Sequence, residues 1–255
     1  MARLSLPTVT LCAAASVNVT ATLEALRSCL DQIDVAQCLF FTDSDATVSD
    51  SQIRVVPIGR LASGEDYSHF LLRRLVDHVR TSHCLVVQWD GFVLDAGQWD
   101  PNFLAFDYIG APWPQFSDGY DVGNGGFSLR SRKLLEACLD PRFDGGHPED
   151  VTICRTNRPM LERDHGIRFA DRETAERFAF ERTVPARPTV GFHGIFNMMK
   201  VLGPDPFWKI YSTLDDRSTA FVDYGLLMHH HGDAQHALQR RLRLTYDRLK
   251  GLFRL

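Results

Sequence analysis

Apolar residues along this chain fall into short continuous runs that alternate with helical stripes. TVTLCAAAS at 8–16 reads as a buried strand, and TATLEALRSCL behind it puts Leu23, Leu26 and Leu30 near one helical face. AQCLFFTD at 36–43 is a second strand closing on Asp43, and IRVVPI at 53–58 is a third. Tyr67 to Val79 carries Phe70, Leu71, Leu75 and Val79 as a second helical stripe, and HCLVVQWD at 83–90 is a fourth strand running into Asp90. Strands separated by helices need crossover connections. The pattern therefore predicts an α/β fold with a mostly parallel central sheet flanked by helices.

Beyond the fourth strand the regular pattern thins. A strand through Tyr108 and Ile109 meets APWP, whose prolines limit pairing, and a loop rich in Gly, Asp and Tyr follows. Asn124-Gly125-Gly126 forms a tight turn before Phe127-Ser128-Leu129, and Ser131 caps a helix containing Leu134, Leu135 and Cys138. Pro148 opens a helix with Glu149 and Asp150 in its first turn, where free N–H groups favour acids. GIRFA at 166–170 is a further strand, ETAERFAFE at 173–181 a short helix or turn, and TVGFHGIFNMM sets His193 between two glycines. The last segment has helical spacing through Leu238, Leu242, Tyr246, Leu249 and Phe253. With its several Arg residues, that stripe fits docking on the domain, dimerisation or an anionic membrane surface. The expected organisation is one domain over residues 1–204 and a C-terminal helical extension over 205–255.

Composition narrows the class. The chain has 255 residues, 44% hydrophobic and 24% charged, with a net charge of −4, which excludes a disordered chain and disfavours a general nucleic-acid binder. Lys occurs only at 133, 200, 209 and 250, so nearly all cations are Arg, the better planar clamp for phosphate. Cysteines at 12, 29, 38, 84, 138 and 154 are widely spaced within apolar runs, as buried thiols of a reducing compartment are. No apolar stretch approaches the roughly 18 residues of a membrane span. The first apolar run, ended by Asn18, reads as a strand rather than a secretory signal, so a cytoplasmic location is expected.

Candidate chemistry gathers at strand ends. Ligands of open α/β sheets collect outside the carboxyl ends of the strands, and Asp43 and Asp90 both stand there; a plain strand-closing carboxylate is the alternative for each. Asp90 and His193 together can share a divalent cation whose remaining positions go to water and phosphate oxygens, although His193 also reads as a core or loop histidine. Asp150 can take a proton from an attacking hydroxyl while Glu149 orients the acceptor. Trp89 and Trp113 can face a sugar ring or pack the core, and Gly125 and Gly126 admit a close approach to the backbone or simply make a turn. The run His229-His230-His231 reads as a solvated stretch near the last helix. The glycine-rich phosphate loops and the GxSxG elbow are absent, which excludes the usual dehydrogenase, P-loop NTPase and α/β-hydrolase signatures.

QWDGFVLD at 88–95, DYIGAPW at 107–113, VGNGGFSLRSRKLL at 122–135, PEDVTICR at 148–155 and GFHG at 191–194 occur in an order that resembles small bacterial glycosyltransferase-like domains of the GT-A type. The resemblance spans about residues 6–200 and extends, more distantly, to inverting galactosyltransferases. It implies a GT-A-like fold and transfer of a sugar from a nucleotide diphosphate sugar, a UDP-sugar by preference, to a hydroxyl of a glycan or glycolipid. It further implies Asp150 as the base, Glu149 as a sugar contact, and Asp90 and His193 as ligands of Mn2+ or Mg2+. Asn124, Gly125 and Gly126 would lie near donor and acceptor, and Asp43 near the base or ribose. One departure stands out: Asp90-Gly91-Phe92 lacks the second aspartate of the Asp-x-Asp signature. A noncatalytic nucleotide-sugar or carbohydrate binder and a metal-dependent nucleotidyltransferase are the competing functions. Expected partners are the donor and acceptor, with homo-oligomer or peripheral contact on the inner membrane face assigned to the C-terminal helix.

Overall fold

The computed structural model describes residues 3–45, 48, 50–229 and 236–252. Its contacts divide the chain into two units, Met1–His193 and Gly194–Leu255. The division falls at 193/194, about ten residues before the boundary suggested by the sequence.

The first unit begins with β1 (Leu4–Ala14), α1 (Val19–Leu30), β2 (Ile33–Thr42), β3 (Ile53–Pro57), α2 (Gly64–Arg73) and β4 (His83–Val87). It continues through β5 (Tyr108–Ile109), β6 (Phe127–Ser131), α3 (Arg132–Ala137), α4 (Glu149–Val151), α5 (Arg158–His165), α6 (Arg172–Phe178), β7 (Ala179–Phe180) and β8 (Gly191–Phe192). Six strands form one sheet in the order β3-β2-β1-β4-β6-β5. The first four strands of the chain are mutually parallel, as the crossover pattern requires, whereas β6 runs antiparallel to both β4 and β5. The sheet is thus mixed. β7 and β8 make a separate parallel pair.

Local sequence explains most boundaries. The inner half of β1 is buried between β2 and β4 and reads as one apolar run, but its first residues alternate in burial, so the strand starts earlier than that run suggests. Leu23, Leu26 and Leu30 are all buried on α1, and Phe70, Leu71, Leu75 and Val79 are all in the core. The second stripe is not one helix, however: α2 stops at Arg73 and a separate single turn covers Leu75–Asp77. Ser63 caps α2 by accepting the Asp66 N–H at 3.2 Å. Ser131 caps α3 by accepting the Leu134 N–H at 3.0 Å. GIRFA does not form a strand; Phe169 contributes an isolated bridge to Tyr108, because β5 is only two residues long. All six cysteines are free and buried.

The second unit is helical: α7 (Ile195–Leu202), α8 (Pro204–Thr213), α9 (Ser218–Val222), α10 (Tyr224–His229) and α11 (Ala237–Leu252). The α11 stripe, for which the sequence leaves docking, dimerisation or a membrane surface open, faces outward. Leu238, Leu242, Tyr246 and Leu249 are 72%, 62%, 58% and 50% exposed, while Leu244 and Asp247 are buried. His230, His231 and Phe253 lie outside the described residues. Among the described residues no helix is long and apolar enough to cross a membrane.

Candidate active site

The chain runs from β1 to β2 and β3 on one side and then crosses to β4 on the other, so the order reverses between β1 and β4. Crevices outside the carboxyl ends of strands at such a reversal are where open α/β sheets bind ligands. At the carboxyl end of β4, Gln88 and Gly91 exchange both backbone hydrogen bonds at 3.1 Å, closing Trp89 and Asp90 into a two-residue turn. Asp90 is only 4% exposed there, and Trp89 is half-buried. Because β6 is antiparallel, with Val87 paired to Phe127, its leading loop Asn124-Gly125-Gly126 arrives at the same end of the sheet. Asn124 adopts a left-handed backbone, φ 55°.

His193, directly after β8, meets both features. Its Nε2 lies 3.6 Å from Asp90 Oδ1 and donates to Gln88 Oε1 at 3.2 Å. Its Nδ1 lies 3.2 Å from Glu181 Oε1 and 3.0 Å from Asn124 Nδ2. Burial alone would lower the imidazole pKa, but the charge of Asp90 and the hydrogen bond and charge of Glu181, with Asp150 further off, outweigh it and lift the value to about 9. Glu181 moves the other way. Its burial favours the neutral acid, yet His193 and the charge of Arg182 hold it below the ordinary carboxylate range.

α4 supplies the second half. Pro148 precedes it, so Glu149 and Asp150 occupy the first turn, as the sequence predicts. Asp150 is half-buried; its Oδ2 accepts the Gly125 N–H at 3.0 Å and its Oδ1 the Val151 N–H at 2.8 Å. Burial and the neighbouring Glu149 charge raise its pKa above the usual carboxylate value, against the pull of those two N–H groups and of Arg130. Glu149 is 5% exposed and ion-paired to Arg130 Nη2 at 2.9 Å. Arg130 is wholly buried; it also donates to the Gly125 carbonyl at 3.3 Å and from Nε to Ser128 Oγ at 2.9 Å.

The two glycines have a geometric reason. A Cβ on Gly126 would run into the His193 ring and one on Gly125 into the Glu149 carboxylate, so the backbone there is approached by the protein's own side chains. The sequence left a substrate's approach and a plain turn both open at these glycines.

Asp90, His193, Asn124, Gly125, Gly126, Glu149 and Asp150 are therefore joined in one network. Trp113 is buried in a core cluster and stacks edge-on with Phe116, its ring covered by the Gly123 backbone. Asp43 is exposed just past the carboxyl end of β2. Sequence reading missed Arg130, Glu181 and Gln88. A charged residue inside the apolar strand FSLRS was the available signal for Arg130; Glu181 and Gln88 carried none.

The donors fit a divalent cation in part. Glu181 faces Nδ1, as an outer carboxylate orients a metal-binding histidine, but Nε2 donates to Gln88 and stands 3.6 Å from Asp90, so it would have to give up that proton to hold a cation. Among the described residues no group of three or more His, Cys, Asp or Glu is disposed to hold a metal. Two protein donors therefore suit only an ion whose other positions are filled by a ligand such as a diphosphate.

Among solved structures, the chain is similar to an active-site mutant of LgtC at 13% identity and TM-score 0.44, covering 81% of this chain and 96% of that one. It is similar to a glycosyltransferase involved in glycosylation of the major capsid of PBCV-1 at 13% identity and TM-score 0.42, covering 73% and 94%. A third is the mannosyltransferase PcManGT from Pyrobaculum calidifontis in complex with GDP-Man and Mn2+, at 12% identity and TM-score 0.47, covering 94% and 69%. No protein of curated function matches the chain. Residues 50–193, more than half of the chain and containing every joined residue of the network, match the family described as "Protein of unknown function (DUF5672)", and the chain belongs to that family.

Proposed function

We propose that this protein is a glycosyltransferase that moves a sugar from a nucleotide diphosphate sugar, preferably a UDP-sugar, to a hydroxyl of a glycan or glycolipid, with inversion. The observation that carries the reading is the single loop Asn124-Gly125-Gly126. Its Gly125 N–H donates to Asp150 on one side, and its Asn124 amide stands 3.0 Å from the ring of His193, beside Asp90, on the other. The proposed proton acceptor and diphosphate anchor thereby share one loop at the carboxyl end of β4.

In this reading Asp150 takes the proton of the acceptor hydroxyl as the acceptor oxygen forms its bond to the anomeric carbon. The bond from that carbon to the diphosphate oxygen breaks, and its electron pair leaves with the nucleoside diphosphate. Two backbone N–H groups fix the Asp150 carboxylate while leaving lone pairs for the hydroxyl. Its raised pKa brings its basicity nearer that of an effective general base at neutral pH. Arg130 and Glu149 act as positioning residues, bracing Gly125 from beneath. Asp90 and His193 Nε2 would hold Mn2+ or Mg2+, with Glu181 orienting the imidazole. A cation bound there supplies Lewis-acid charge to the departing diphosphate. In this reading half-buried Trp89 faces the sugar and exposed Asp43 contacts the nucleoside. The free cysteines accord with action in a reducing cytoplasm.

The test is product analysis with UDP- and GDP-sugars, with and without Mn2+. Nucleoside diphosphate release and an inverted product anomer by NMR are expected. Pyrophosphate release would identify a nucleotidyltransferase instead, and donor binding without turnover across acceptor panels a noncatalytic binder.

A further inference from the structure

The exposed face of α11 has a one-sided chemistry. At 3.6 residues per turn, Leu238, Leu242, Tyr246 and Leu249 fall within an arc of about 80°. That arc lies opposite the buried Leu244 and Asp247. Arg241 and Arg248 border it on one side, and Lys250 on the other, where Arg243 also lies with its Nε paired to Asp247 at 3.0 Å. Asp247 is the only acid between 237 and 252, and it is buried against Tyr211, whose hydroxyl donates to it at 3.0 Å. The Arg248 guanidinium sits 4.5 Å from the Tyr224 ring centroid of α10, a cation–π contact at the edge of this face.

We infer that this face of α11 binds an anionic lipid surface, lying in the headgroup plane with its leucines and Tyr246 inserted. An apolar stripe between two rows of cations is the arrangement of an interfacial helix: the apolar residues enter the acyl boundary while long Arg and Lys side chains reach lipid phosphates. Tyrosine suits that boundary, having an apolar ring and a polar tip. Charge complementarity selects this occupant over a second copy of the chain. A two-fold pairing of these faces would set rows of Arg and Lys against like rows, whereas an anionic surface neutralises both at once. The inference concerns the second unit alone and does not depend on the proposed transfer reaction.

The full chain is sedimented with phosphatidylcholine vesicles and with vesicles containing about 30% phosphatidylglycerol. Binding is expected only to the anionic vesicles, weakened strongly at about 0.5 M NaCl. L242S/L249S should abolish it. R241Q/K250Q should weaken it at least about tenfold while keeping the apolar stripe intact. Circular dichroism checks the folding of both variants, and if the leucine variant unfolds the charge variant decides. Absence of binding to anionic vesicles at low salt overturns the inference, as does equal binding to neutral ones. A dimer in light scattering that L242S/L249S dissociates would also overturn it, by giving the face to a second copy.

Discussion

Asp150 is the residue on which the proposed chemistry turns, and its surroundings yield two expectations. Replacing it with Asn keeps the shape and removes the base, so D150N should lose turnover by about 10²–10⁴-fold with donor affinity retained. Isothermal titration beside steady-state rates checks both halves; equal turnover by D150N and the parent would remove the base role. The pH dependence has a fixed sign. Asp150 must be ionised to accept a proton, and its pKa is raised by burial and by Glu149, so kcat/KM should fall as pH drops through a value above the ordinary carboxylate range. The acid limb of the rate profile measures this, and D150N should lack that limb. At the neighbouring site, D90A should weaken donor binding in the presence of Mn2+, since it removes one of the two donors of the proposed cation site. Unchanged calorimetric affinity would sink the diphosphate assignment.

At the scale of elements, β6 does the assembling, and Arg130 within it carries the greatest structural risk. It is a wholly buried cation paired with Glu149 and bonded to Ser128 and Gly125. Removing one partner of a buried pair leaves an uncompensated charge and destabilises by about 3–5 kcal/mol. R130M should therefore lower the unfolding free energy by about that amount, read as a lower denaturation midpoint, and loosen Gly125. A midpoint within experimental error of the parent would show that Glu149 finds another partner. The same strand marks where sequence reading ran out. Apolar runs located β1 to β4, and cap chemistry located the starts of α3 and α4, because both are local properties. Run length says nothing of strand direction, so antiparallel β6, which brings its leading loop to Asp90, was not legible. Helical spacing likewise located α11 but not which face is buried: Leu244 packs inward while the four-residue apolar stripe remains outside.

For the whole molecule, two units with different chemistry share one chain: an α/β unit ending at His193 and a helical unit beginning at Gly194. The six cysteines test the integrity of both the sheet and its helices. All are buried, and burial lifts the thiols of Cys29 and Cys138 to about 12, where thiolate is scarce at neutral pH. A thiol reagent should leave the native protein unlabelled and label six sites in denaturant; rapid native labelling would mean the cores open readily.

Sequence alone determined the alternation of strands and helices, the carboxylates at strand ends, the acidic first turn of α4 and the apolar character of the cysteines. Each follows from periodicity or from residues adjacent in the chain. Tertiary structure decided which distant residues meet. Glu181 against His193, Arg130 beneath Gly125 and the protein side chains filling the space beside Gly125 and Gly126 come from strand direction and packing across tens of residues. So does the outward face of α11, because the side of an amphipathic helix that is buried depends on what its neighbours offer as well as on its own pattern.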